Sequence, residues 1–109
     1  KNVVIKIPVS RRGFLQGLNE KAIWDKYSQI APLAELKWEC MGIICQKRYT
    51  QSEVISVSAI KQIKAFIPEL DFKNCDLYNS KNWGILGNKF ILLDYGINKY
   101  ISTLYKQKT

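Results

Sequence analysis

A turn signal in the last third of this chain constrains its fold more than any other stretch. Trp83 to Leu86 and Phe90 to Leu93 are short apolar runs, and Gly87-Asn88 stands in the connection between them. Both turn residues tolerate the positive φ that tight hairpins require, so a β-hairpin is predicted here. Paired strands lie about 5 Å apart. The hairpin therefore brings Asn82, just before the first strand, beside Asp94, just after the second. Their side-chain oxygens can converge on one cation in the manner of Mg²⁺, which is commonly bound by few protein ligands. Asp76 precedes Asn82 by six residues and can face the same point. An Asx-rich loop beside a core hairpin also accounts for these residues without any metal.

The rest of the chain reads as one small domain. Its 109 residues suffice for one core and not two, and 47% of them are hydrophobic. No apolar run approaches the roughly 18 residues of a membrane span, and no signal-peptide pattern is present, so no membrane partner and a cytoplasmic location are expected. The first residue is Lys1 rather than Met, and further sequence in front of it is expected. Lys and Arg outnumber Asp and Glu by 17 to 9, a formal charge of +8. Such an excess favours acidic partners, including nucleic acid. The basic residues are scattered, and Arg11-Arg12 and Lys47-Arg48 are the adjacent pairs and the candidate contacts. There is no histidine, which removes Ser-His-Asp and Cys-His chemistry as usually built. Cys40, Cys45 and Cys75 form no CxxC, so buried free thiols are expected in place of zinc or a disulfide framework.

In chain order, Val3 to Val9 is a β-branched strand with Lys6 inside it, ended by Pro8. Ser10 to Gly17 reads as a basic connection. Leu18 to Tyr27 reads as a helix, with Leu18, Ala22 and Ile23 on one face and Glu20 near its start. Leu36 to Met41 and Ile43 to Cys45 read as two antiparallel strands joined at Gly42. Thr50-Gln-Ser-Glu53 matches a capping box and opens a second helix, whose stripe is Ile55, Ala59, Ile63 and Phe66, before Pro68. Ile97 to Lys108 is predicted as a last helix. The fold class is therefore α+β: a small antiparallel sheet with two to three helices.

These residues fall into an order that resembles the protein-kinase fold, and in particular the small kinase-like proteins of bacteriophages. Val3-Val-Ile-Lys6 is similar to the strand-three lysine motif, and Glu20 to the glutamate on the following helix that pairs with it. Asp76-Leu-Tyr-Asn-Ser-Lys-Asn82 resembles a catalytic loop, and Asp94-Tyr-Gly96 the Asp-Phe-Gly metal motif. The resemblance covers Val3 to Gly96. It implies that Lys6, held by Glu20, binds nucleotide phosphates. Asn82 and Asp94 would hold Mg²⁺, and Asp76 would act as base, with ATP as the nucleotide. Asp76 to Asn82 is one residue longer than the common spacing, so Asn79 is a second candidate for the metal ligand.

The chain also departs from that pattern. No glycine-rich loop precedes Lys6, Asn74-Cys75 stand where His-Arg usually precedes the catalytic Asp, and residues 97–109 are too few for a substrate-binding lobe. The first expectation is therefore a non-catalytic binding protein on a truncated kinase-like fold. It would be a phage factor that inhibits a host protein or defence complex, with an acidic protein or nucleoprotein as partner. The second is a minimal Mg·ATP-dependent phosphotransferase or a nucleotide-binding remnant.

Overall fold

The computed structural model describes residues 2–70 and 77–96. Asp76, Cys75 and the helix expected over 97–108 lie outside the described residues. The elements run β1 (Val3–Lys6), α1 (Arg11–Tyr27), β2 (Leu36–Cys40), β3 (Ile43–Lys47), β4 (Thr50–Gln51), α2 (Val57–Phe66), β5 (Trp83–Leu86) and β6 (Lys89–Leu92). The class is α+β. The strands do not form one sheet but two antiparallel sheets of three, ordered β1-β3-β2 and β4-β5-β6. The chain leaves the first sheet at Lys47, and after Arg48-Tyr49 it pairs Thr50 with Ile85 in the second.

Both predicted hairpins form. β2 and β3 meet through Met41-Gly42, which have φ of 51° and 84°. β5 and β6 pair Trp83 with Leu92 and Leu86 with Lys89, turning at Gly87-Asn88. The first strand stops at Lys6, short of the predicted Val9; Pro8 has no N–H to extend a ladder.

The helices start elsewhere than the sequence patterns suggest. α1 begins at Arg11, where the Ser10 hydroxyl caps it by accepting from the Gly13 N–H at 3.1 Å. Gly13 and Gly17 thus lie inside the helix rather than in a loop, and Glu20 lies at its middle rather than near its start. Gly17 is required there because a Cβ would collide with the Gly42 backbone. The buried residues of α1 are Gly17, Glu20, Ile23 and Tyr27, whereas Leu18 and Ala22 face outward. α2 begins after Ser56, whose hydroxyl accepts from the Ala59 N–H at 3.2 Å. The Thr50–Glu53 capping box does not form. Thr50-Gln51 are taken by strand pairing, and the Ser52 N–H donates to Trp83 O at 2.8 Å. Ile55 and Phe66 remain exposed, and α2 buries Ala59, Ile60 and Ile63 instead.

The core lies between α1, α2 and the β5–β6 hairpin. Ile23, Tyr27, Ala31, Leu33 and Ala34 pack with Ile60, Ile63, Ile67, Leu77, Trp83, Leu92 and Tyr95. Its polar atoms are satisfied: Trp83 Nε1 donates to Leu77 O and the Tyr95 hydroxyl to Ala34 O, both at 2.8 Å. Of the described cysteines, Cys45 is a buried free thiol as expected. Cys40 is exposed at the end of β2, an edge strand of the first sheet.

Candidate functional site

Three elements converge where β1, the middle of α1 and the end of β6 meet. Lys6 is the last residue of an edge strand, and its side chain turns under the sheet toward α1. Its Nζ donates to Glu20 Oε1 at 2.9 Å and to Leu93 O at 3.0 Å. Leu93 O also accepts from Gln46 Nε2 at 3.0 Å, so one carbonyl of the hairpin's outgoing chain ties down β1 and β3 of the first sheet. Asp94 follows directly, and its Oδ1 accepts a long bond of 3.4 Å from Gln16 Nε2 on α1.

Glu20 is only 2% exposed, whereas the Lys6 side chain is 34% exposed. Burial raises the Glu20 carboxyl pKa from 4.5 to about 7. Lys6 opposes that rise by its charge, Asp94 adds to it, and the Lys6 and Tyr95 hydrogen bonds oppose it. Burial dominates the rise.

The cluster opens onto a cleft of about 290 Å³. Its walls include Lys6, Glu20 and Asp94, together with the first turns of α1 at Ser10, Arg12, Gly13 and Gln16. Helix N-termini carry partial positive charge, and α1 has no acid in its first turn. One side of the cleft is therefore positive and the other carries the Asp94 carboxylate.

Of the residues singled out in the sequence, the structure joins Lys6, Glu20 and Asp94, and adds Arg12. Asn82 ends a short 3₁₀ turn (Ser80–Asn82), and its carbonyl accepts from the Leu93 N–H at 2.8 Å. It therefore flanks the hairpin opposite Asp94's chain as predicted, but it is not among the residues lining the cleft. Asn79 caps that same turn through its side chain. Arg11 is exposed at the start of α1, and Lys47-Arg48 lie at the far end of β3.

No family model, curated protein or solved structure matches this chain.

Among the described residues, no three acidic or thiol side chains gather in a way that could hold a metal. Mg²⁺ is usually held by one or two carboxylates with the remainder from water and substrate phosphates. Asp94 fits that more modest role, and Glu20, already bound to Lys6, does not. Sequence reasoning missed Gln16, Gln46 and the Leu93 carbonyl. The one available signal was Ser10 as a helix cap, which would have placed Gln16 on the Glu20 helix, one turn before it.

Proposed function

We propose that this chain is a non-catalytic binding protein on a reduced kinase-like fold. It would act as a phage factor against a host protein or defence complex of acidic surface. The observation that carries this reading is the state of Lys6. Its ammonium already serves Glu20 and a backbone carbonyl, so it works as a joint between sheet, helix and hairpin. Phosphoryl transfer depends on positioning donor and acceptor in line. Among the described residues the walls of the cleft come from the end of β1 and the segment after it, the first half of α1, Gly42, Ile44 and Asp94. The +8 charge supports an acidic partner.

The test is incubation of the full chain with radiolabelled ATP, Mg²⁺ and protein acceptors, alongside capture of acidic proteins before and after nuclease treatment. No transfer and retention of a partner is the expected result. Transfer that is lost in Asp76→Asn would overturn the reading.

A nucleotide-binding remnant is favoured by one specific observation: Lys6, Arg12 and the α1 N-terminus share a cleft with Asp94. Weak Mg·ATP binding in calorimetry, absent without Mg²⁺ and abolished by Asp94→Ala, is its signature.

A further inference from the structure

The first sheet has a face turned away from α1. Directly opposed residues of an antiparallel pair share a face, and Cys45 on β3 is opposed by Ile5 on one side and Trp38 on the other. Ile5, Cys45 and Trp38 therefore form a row across three strands. Lys6, Ile44 and Glu39 form the next row, on the opposite face. That inner row is accounted for: Lys6 binds Glu20, and the Glu39 carboxylate accepts from the Gly42 N–H at 2.8 Å. In the outer row Cys45 is buried between its two larger neighbours, which are open to water. Trp38 is 47% exposed and Ile5 45% exposed. A tryptophan is a costly residue to leave half in water, and exposed apolar patches of this kind mark binding surfaces.

The charges around this row are mostly positive, Glu35 being paired with Lys37. Lys47 stands two residues along β3 from Cys45, opposite Val3, and Arg48 follows it. The nearby acids are occupied, Glu39 on the other face and Glu35 by Lys37 at 2.9 Å. A bulge between Leu36 and Trp38 pushes Lys37 out of the pairing and sets Trp38 on the outer face.

We propose that this face binds single-stranded nucleic acid, with a base stacked on the Trp38 indole, Ile5 giving a second apolar contact across β3, and Lys47 and Arg48 on the phosphates. Flat aromatic platforms beside cations bind unpaired strands through stacking and charge, tolerant of sequence. An acidic protein would match the charge but brings no run of unpaired bases to stack on the indole. Duplexes keep their bases stacked inside and cannot use the indole. Stacking and phosphate contact do not distinguish the sugar, so RNA and DNA strands bind alike. This extends the binding-protein reading by naming a partner and a face. It rests on that reading for the acidic partner and owes nothing to the cleft.

The test is fluorescence anisotropy of the full chain with labelled oligouridylate and oligothymidylate of about 12 nucleotides, within the site sizes such surfaces occupy, and with a duplex of the same length. Both single strands are expected to bind, and the duplex at least tenfold more weakly. Trp38→Ala should weaken binding about tenfold, with Trp38→Phe recovering most of it. Lys47→Ala should lower the salt slope by about one, while Lys61→Ala on α2, the same loss of charge at an exposed lysine outside the first sheet, leaves it nearly unchanged. Thermal melts by circular dichroism establish that each variant is folded. Equal affinity for duplex, an indifferent Trp38→Ala, or an equal effect of Lys61→Ala would overturn the proposal. Those results concern this face alone, since the binding-protein reading is decided by the ATP-transfer assay.

Discussion

Gly17 on α1 and Gly42 in the β2–β3 turn meet backbone to backbone, so closely that a Cβ on Gly17 would overlap the Gly42 carbonyl. Gly42 in turn has φ of 84° and packs its Cα side against Phe14. This contact sets how near α1 lies to the first sheet, and with it the reach from Lys6 to Glu20.

Gly17→Ala should therefore destabilise the protein, although alanine is the better helix former by about 1 kcal/mol. The obstacle is backbone on both sides and cannot rotate away. A net loss of about 2 kcal/mol is expected in urea unfolding, in the range of overpacked sites. Gly87→Ala is the comparison: its Cβ would meet open space, so only the cost of its φ of 60°, about 1 kcal/mol, remains. A neutral Gly17→Ala would mean that the helix and turn can separate freely.

Lys6 and Glu20 should be energetically coupled. At pH 8, Lys6→Met leaves the buried Glu20 without its cation, whereas Lys6→Met with Glu20→Gln removes both charges. Because Lys6 is one-third exposed, a coupling of about 1 kcal/mol is expected rather than the larger values of fully buried pairs. Additive losses in the double-mutant cycle would show that the pair does not act as a joint.

Stability should fall with pH through this same carboxyl. Glu20 binds its proton more tightly folded than unfolded, the pKa rising from 4.5 to about 7. Its favourable contribution is complete below about pH 4.5 and is lost as pH rises through about 7. Glu69 acts with the opposite sign. The Tyr27 hydroxyl, chiefly, with Lys26, lowers its pKa, so its contribution is lost as the solution becomes acid. Subtracting the urea midpoints of Glu20→Gln from those of the natural chain between pH 4.5 and 8 cancels Glu69. The natural chain should lose ground to the variant toward pH 8. A flat difference would mean that Glu20 titrates as an ordinary glutamate.

Tyr95→Phe tests how the hairpin's outgoing chain is fixed to the core. The phenol is fully buried and its hydroxyl donates to Ala34 O. Removing it strands a carbonyl in the interior, at a cost of about 1–3 kcal/mol. A smaller loss in thermal or urea melts would imply that water reaches Ala34.

Local chemistry made part of this structure legible from the sequence. Gly87-Asn88 between two apolar runs specifies its hairpin because turn geometry and strand pairing are decided within a dozen residues. Gly42 does the same for β2 and β3. The pairing of Lys6 with Glu20 was legible only by resemblance, since nothing local to either residue implies the other. The helix starts were misread where tertiary contacts outweigh local signals. Gly13 and Gly17 look like loop residues until the Gly42 backbone is seen pressing on α1. Thr50–Glu53 looks like a capping box until β5 claims Thr50 and Gln51. The division into two sheets, the burial of Glu20 and the exposure of Ile5 and Trp38 on either side of buried Cys45 were decided by tertiary structure alone. Alternation along a strand says which residues share a face, but only the packing of the other elements determines which face α1 covers and which is left to water.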